Sequence, residues 1–204
     1  MITLHALKYS RATRALWLLD DLGQTCNRID YERTETFRAP ESLSGVHPLG
    51  KSPVIKDGDR VIGESATILR YLVEKYGDAS HQPERGTTAF WRHEALLDYV
   101  EASFGEVVLG AILPAFAGKD VTESARAALE HHLSYIAGEL STGPYLCGDK
   151  PMLADIQMSY LLALLERFGF LKETPRIAAY WQRLQEQPGY IAAVAAAGPM
   201  APPG

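Results

Sequence analysis

Residues 47–77 have the sequence HPLGKSPVIKDGDRVIGESATILRYLVEKYG. Two short β-rich runs, at positions 53–56 and 59–62, flank Asp57-Gly58, and this arrangement predicts a β-hairpin. From Glu64 to the end of the stretch, apolar residues recur at helical spacing on one face. The stretch therefore predicts two antiparallel strands followed by an amphipathic helix.

The residues before this stretch predict a βαβ unit. Met1–Ala6 and Cys26–Tyr31 are predicted strands, and a helix from about Arg11 to Leu22 lies between them, ended by Gly23. Strands connected in this way are expected to be parallel, with a right-handed crossover. The next segment is less regular, although Ala39-Pro40-Glu41 indicates a short helix.

Every element predicted after the polar segment at 78–85, the best candidate for a linker, is a helix. The helix at 153–168 is apolar on nearly every side, which is typical of the middle of a bundle. We expect an α/β domain (βαβ-ββα) at 1–77, an all-α bundle at 86–204 and a loose tail from Gly198 onward. The predicted helices are 87–116, with a break near Gly110 or Pro114, 121–140, 153–168, 176–187 and 189–197.

The composition excludes several classes of protein. The chain has 204 residues and a formal net charge of −5, so neither nucleic acid nor an anionic membrane is an expected partner. No apolar run approaches the roughly 18 residues that span a bilayer. Charged residues near the N-terminus argue against a signal peptide, and we expect a cytoplasmic protein.

The cysteines and histidines give no sign of a metal site. Cys26 and Cys147 have neither CxxC nor zinc-like spacing, and we expect two buried thiols in a reducing compartment. The six histidines show no spacing such as HExxH, so no metal is expected.

Two motifs combine serine with a backbone suited to binding. Ser10 stands just before the first predicted helix, where free N–H groups and the helix dipole favour an anion; the alternative is an ordinary N-cap. A cis Ser52–Pro53 bond would let the backbone of Val54 pair with an extended peptide; the alternative is a trans proline, with Lys51 as a solvated surface charge.

A third motif, Glu64-Ser65, precedes the helix of the opening stretch. Ser65 is expected to cap this helix, and its hydroxyl with the following N–H groups suits a carboxylate, while Glu64 suits an ammonium. Together they fit an α-amino acid head group. The alternative is capping alone.

The order of these motifs resembles that of the glutathione transferase superfamily, and the resemblance covers nearly the whole chain. Residues 47–77 are its most specific part, and YLCGDKPMLADIQMSYLLALL (145–165) resembles the family's buried-helix motif. The resemblance implies a thioredoxin-like N-terminal domain, glutathione as co-substrate and a homodimer. Met152 stands where the motif has a capping Ser or Thr, so Asp155 is interpreted as structural, with half of its capping box lost at a cost of about 1 kcal/mol.

Within the superfamily, the N-terminal loop resembles the serine type, which is theta- and delta-like. Ser10 is followed four residues later by Arg14, and the loop has no cysteine. The resemblance implies that the Ser10 hydroxyl donates to the glutathione thiolate, which then attacks an electrophile. Tyr9 remains the alternative donor.

The resemblance also implies the contacts of the ligands. Lys51, with Arg38, would bind the glycine carboxylate, and Glu64 would help to hold the γ-glutamyl head group. Asp98 and Glu101 are expected either on a solvated face or near a partner subunit's glutathione. The implied glutathione-binding residues are Arg14, Arg38, Lys51, Ser52, Pro53, Val54, Glu64 and Ser65. The implied electrophile site, between the N-terminal loop and the long helix, contains Tyr99, Ser103, Phe104, Leu113 and Phe116, for which core packing is the alternative.

Three functions remain open at this point. The first is conjugation of glutathione to small apolar electrophiles, as in detoxification. The second is glutathione-dependent peroxidase or dehalogenase activity, which uses the same thiolate. The third is a partner-binding protein of the same fold without catalysis, which the retained motifs disfavour.

Overall fold

The computed structural model describes residues 1–202 in two compact units. The N-terminal unit is Met1–Asp78 together with the segment that begins at Glu186, and the helical unit is Ala79–Gln185. The grouping differs from the expected one, which assigned all residues after 85 to the helical domain. The last two residues of the predicted tail lie outside the described residues.

The N-terminal unit contains one four-stranded sheet, whose strands are β1 (Ile2–Leu7), β2 (Cys26–Tyr31), β3 (Val54–Asp57) and β4 (Arg60–Ile62). Their order in the sheet is β2-β1-β3-β4. Strand β1 is parallel to β2, which confirms the predicted βαβ unit, and antiparallel to β3. Strand β3 is antiparallel to β4, which confirms the predicted hairpin. The α-helices among residues 1–202 are α1 (Ala12–Asp21), α2 (Ser65–Tyr76), α3 (Thr88–Tyr99), α4 (Gly105–Phe116), α5 (Glu123–Glu139), α6 (Leu153–Arg167), α7 (Pro175–Gln185) and α8 (Pro188–Ala197).

Helix α8 belongs to the N-terminal unit because it packs on α1. The buried ring of Trp17 lies against Tyr190 with ring centroids 5.5 Å apart. A Cβ atom on Gly189 would come within 2.5 Å of the Trp17 ring, so only glycine allows the two helices to approach this closely. The chain therefore closes its N-terminal unit with a helix from the far end of the sequence.

The end of the chain and the cysteines differ from the expectations. Met200 and Ala201 are buried, so the predicted loose tail is wrong for these residues. Cys26 and Cys147 are free thiols, but both are partly exposed rather than fully buried.

The long helix predicted at 87–116 is interrupted at a different place. A π-helical turn, Val100–Phe104, separates α3 from α4, and no break occurs at Gly110 or Pro114. Pro114 lies in the last turn of α4, where the chain is about to leave the helix. Insertions of this kind are frequent at functional sites.

A buried carboxylate organises the helical unit, whose central helix is α6, as predicted. Asp155 accepts hydrogen bonds from the N–H groups of Leu146 (3.0 Å) and Met152 (2.9 Å) and from the Tyr180 hydroxyl (2.7 Å). The bond from the Met152 N–H is the half of the capping box that Asp155 supplies, and it is present although Met152 stands where the motif has Ser or Thr. Burial raises the pKa of Asp155 to about 6, although the hydrogen bonds oppose this shift.

In the N-terminal unit, Asp57 joins the hairpin to the end of α2. Its Oδ2 atom accepts hydrogen bonds from the Tyr71 hydroxyl (2.8 Å), the Lys75 ammonium (2.5 Å) and the Tyr76 hydroxyl (2.5 Å). The carboxylate is buried, and these donors, Lys75 first, hold the pKa of Asp57 well below its ordinary value.

We expect Asp57→Asn to lower the free energy of unfolding by about 2 kcal/mol, because hydrogen bonds to a charged acceptor are lost. Since the pKa of Asp57 is lower in the folded state, its contribution is fully present above the ordinary value of 3.8 and is lost as the pH falls below it. Urea unfolding of both proteins at pH 7 and at about pH 3, above and below the ordinary pKa, measures the difference.

The matched control is Asp59→Asn, since Asp59 is exposed on the same hairpin. Its effect is expected to stay within about 0.5 kcal/mol. Equal effects of the two substitutions would contradict the assigned role of Asp57.

We expect Asp155→Asn to destabilise the protein by about 2 kcal/mol. In the wild type each carboxylate oxygen accepts a hydrogen bond from a backbone N–H, and in the variant the amide NH2 would face one of these N–H groups, which would lose its acceptor. Asp149→Asn, at an exposed position just before α6, is the control. Thermal and urea unfolding check the pair, and an unchanged midpoint for Asp155→Asn would refute the interpretation.

Candidate active site

The turn from β1 into α1 positions Ser10. The Ser10 side chain is buried, and its Oγ accepts a hydrogen bond from the Ala12 N–H at 3.2 Å. Arg11, and not Ser10, occupies the N-cap position of α1. Within residues 1–202 the Ser10 hydroxyl hydrogen has no acceptor, so this group can donate to a bound anion.

Arg14 connects the first turns of α1 and α2. Its Nη1 donates to the Ser65 Oγ at 3.2 Å, and both side chains are buried. Ser65 is the first residue of α2 rather than its cap, so the predicted capping role is wrong. Glu64 occupies the cap position with a φ of 61°, and its exposed side chain makes no capping bond.

The Ser52–Pro53 peptide bond is cis, which is one of the two alternatives that the sequence left open. The Ser52 hydroxyl donates to the His5 carbonyl (3.0 Å) and accepts from the Leu7 N–H (2.9 Å), so its bonds are made to β1. Val54 pairs with His5 and lies one residue beyond the pairing of β3 with β4. Its side facing away from β1 therefore has no strand partner in the described part of the chain.

The charged candidates for the glutathione site make no side-chain hydrogen bond to Ser10, Arg14 or Ser65 within residues 1–202. Lys51 and Arg38 are exposed. The backbone N–H of Arg38 donates a hydrogen bond to the side-chain hydroxyl of Thr34 at 3.1 Å. Arg14 and Ser65 are thus joined by a hydrogen bond, and Ser10 lies in the turn before the helix that carries Arg14, while Lys51, Arg38 and Glu64 remain separate exposed charges.

Tyr9 adopts a left-handed backbone conformation, with a φ of 54°, which costs a non-glycine residue about 1–2 kcal/mol. Its ring stacks on Phe37, which has a φ of 61°, with centroids 6.3 Å apart. The Tyr9 hydroxyl makes no hydrogen bond among residues 1–202. The structure therefore leaves Tyr9 open as the alternative donor.

Arg33 is the residue of this region that sequence reasoning missed. Its guanidinium donates to three carbonyl oxygens, those of Lys8 (2.8 Å), Tyr9 (2.7 Å) and Phe37 (2.9 Å), and it lies 4.4 Å from the Phe37 ring centre. No motif marks Arg33, because the contacts it makes depend on the paths of two turns.

A cavity of about 150 Å³ lies in the N-terminal unit beside Tyr9. Ion pairs at its rim join Lys8 to Glu32 (3.3 Å) and Arg28 to Asp30 (2.8 Å). Ser10, Lys51 and Glu64 are not among its lining residues, which are Ala6–Tyr9, Ala12, Thr13, Arg28, Asp30–Glu32, Ala196 and Ala197.

The electrophile-site candidates belong to the helical unit and have different environments. Phe104 is fully buried and stacks on Tyr99 at 6.0 Å, which agrees with core packing. The Tyr99 hydroxyl and His132 Nδ1 are 2.8 Å apart, and burial raises the pKa of Tyr99. Ser103, Leu113 and Phe116 are exposed. Asp98, also exposed, and Glu101, partly so, lie on α3 and the π-helical turn, respectively.

Comparison with known proteins identifies the family. Residues 4–82 match the family description "Glutathione S-transferase, N-terminal domain", and residues 99–188 match "Glutathione S-transferase, C-terminal domain". Glutathione S-transferase 3 of Schizosaccharomyces pombe is 30% identical over 86% of this chain and 78% of its own length. The chain belongs to the glutathione S-transferase family.

Other relatives agree with this family assignment. Glutathione S-transferase theta-1 of Bos taurus is 30% identical over 85% of this chain and 83% of its own. The crystal structure of a glutathione S-transferase from Actinobacillus pleuropneumoniae has 29% sequence identity and a TM-score of 0.87, covering 98% of this chain and 94% of that one. The protein is therefore a glutathione transferase with a thioredoxin-like sheet and an all-helical region, as predicted.

None of the helices in residues 1–202 has the length and apolar character needed to cross a bilayer. That same part of the chain contains no group of three or more His, Cys, Asp or Glu side chains arranged to hold a metal ion.

We expect Ser52→Ala to lower the free energy of unfolding by about 1–3 kcal/mol, because the Leu7 N–H loses its acceptor. The Kd for glutathione is expected to change by less than about threefold, since the hydroxyl is engaged with β1. Urea unfolding and calorimetric titration measure the two effects. Thr25→Ala, at an exposed position before β2, is the control, and a lost affinity at unchanged stability would contradict this prediction.

Proposed function

We propose that this transferase is of the serine type and that the Ser10 hydroxyl stabilises the thiolate of glutathione. The observation that carries the proposal is the Ser10 side chain itself. It is buried at the start of α1, it accepts the Ala12 N–H, and its own hydrogen remains available for a ligand.

The magnitude of one such bond is sufficient for thiol activation. A free thiol with a pKa near 8.5 is about 3% ionised at pH 7. A hydrogen bond to a charged acceptor contributes about 1.5–3 kcal/mol, which corresponds to a pKa lower by about one to two units. Thiolate then becomes a large fraction of bound glutathione, and the N-terminus of α1 adds to the effect.

We propose that glutathione binds at the first turns of α1 and α2, which Arg14 connects. Ser65 and the N-terminus of α2 suit the γ-glutamyl carboxylate, and Glu64 suits its ammonium. The free side of Val54 suits the cysteinyl backbone, in the loop that Ser52 and Pro53 shape. Lys51 and Arg38, both exposed, are the cations proposed for the glycine carboxylate.

We further propose a small apolar electrophile as second substrate, with Tyr99, Ser103, Leu113 and Phe116 as contacts in the helical unit. Phe104 supports them from the core. A homodimer, a cytoplasmic location and a role in detoxification complete the proposal, in line with the family to which the chain belongs.

The test is the ultraviolet absorbance of the thiolate of bound glutathione, titrated with pH for the wild type, Ser10→Ala and Tyr9→Phe. The wild type is expected to lower the thiol pKa by at least about one unit, and Ser10→Ala to abolish the shift. Tyr9→Phe serves as the matched control and is expected to retain it.

Two other outcomes would change the proposal. Loss of the shift in Tyr9→Phe alone would assign the donor role to Tyr9. Glutathione that does not bind, or that binds with an unshifted thiol, would refute the proposed activation.

A further inference from the structure

Arg33 holds the turn that carries Ser10, although it is distant from that turn in sequence. Its Nε donates to the Lys8 carbonyl at 2.8 Å, and its Nη2 donates to the Tyr9 carbonyl at 2.7 Å. Both carbonyls lie beyond the end of β1, where no strand of residues 1–202 supplies a donor. One guanidinium therefore replaces the sheet as the partner of this backbone.

The same guanidinium also holds a second turn. Its Nη1 donates to the Phe37 carbonyl at 2.9 Å, and its Cζ atom lies 4.4 Å from the centroid of the Phe37 ring. Phe37 in turn stacks on Tyr9, and both residues have positive φ angles. Two strained aromatic residues are thus held together by one side chain.

The contact with the Tyr9 carbonyl determines the direction of the next N–H group. The Tyr9–Ser10 peptide is trans and planar, so its N–H points opposite to its carbonyl, away from Arg33. Within the described residues, neither this N–H nor the Ser10 hydroxyl hydrogen has an acceptor. Both donors therefore stand on a turn whose orientation Arg33 determines.

We propose that Arg33 is a positioning residue for the reaction, which orients the Tyr9–Ser10 peptide so that Ser10 can donate to the thiolate. It acts through the backbone and does not itself touch glutathione. A lysine cannot replace it, because an ammonium on a flexible stem lacks the planar arrangement of donors that serves three carbonyls. This inference rests on the proposed thiolate activation by this turn.

The test measures the pKa of the bound thiol by thiolate absorbance in Arg33→Ala, Arg33→Lys and Arg33→Gln, with Arg60→Ala as the matched control. Arg60 is exposed on β4, outside the proposed site. We expect the Arg33 variants to raise the bound thiol pKa by about one unit and to lower kcat near pH 6.5 about tenfold. The KM for glutathione is expected to change much less, and Arg60→Ala is expected to match the wild type.

Chemical rescue separates positioning from general stability. Millimolar guanidinium is expected to restore the thiol shift in Arg33→Ala, since the free ion can occupy the position of the lost group. If Arg33→Ala does not fold, the lysine and glutamine variants carry the same test. A wild-type thiol pKa in folded Arg33 variants would overturn the inference and leave the proposed function intact. A wild type without any thiol shift would overturn both.

Discussion

Beyond the end of β1 the backbone no longer pairs with the sheet, but its carbonyl groups still need hydrogen-bond donors. This constraint governs the N-terminal unit. Arg33 supplies donors to Lys8 and Tyr9 on one side of the turn. Ser52 satisfies the last residues of the strand on the other, through the Leu7 N–H. With its backbone held from both sides, the turn can keep Tyr9 at a positive φ and place Ser10 at the start of α1.

Much of this unit could be predicted from the sequence because its signals are local. The hairpin around Asp57-Gly58 and the parallel pairing of β1 with β2 follow from turn residues and apolar spacing, and both are confirmed. Arg33 and the Arg14–Ser65 bond could not be predicted in this way. Their partners are remote in sequence, and a charged residue in a polar segment has the same local pattern whether it is solvated or bound to carbonyl groups.

Prediction from local sequence patterns had a similar limit in the helical unit. The apolar pattern of α6 predicted a buried helix, and the resemblance to the family's buried-helix motif predicted a structural role for Asp155, which agrees with its bond to the Met152 N–H. The π-helical turn at Val100–Phe104 was missed, because one extra residue in a helix changes the spacing of apolar positions too little to detect. Gly110 and Pro114 were misleading, since Pro114 is tolerated in the last turn of α4.

The packing of α8 on α1 has a consequence for the order in which the chain matures on the ribosome. The sheet and its first two helices are translated early, yet Trp17 finds its partner on Tyr190 only after the helical unit has been synthesised. At typical rates, translation of residues 79–185 takes roughly 5–20 s, during which the α1 surface lacks its native cover. The N-terminal unit of a nascent chain therefore remains incomplete until the segment that follows the helical unit has been synthesised.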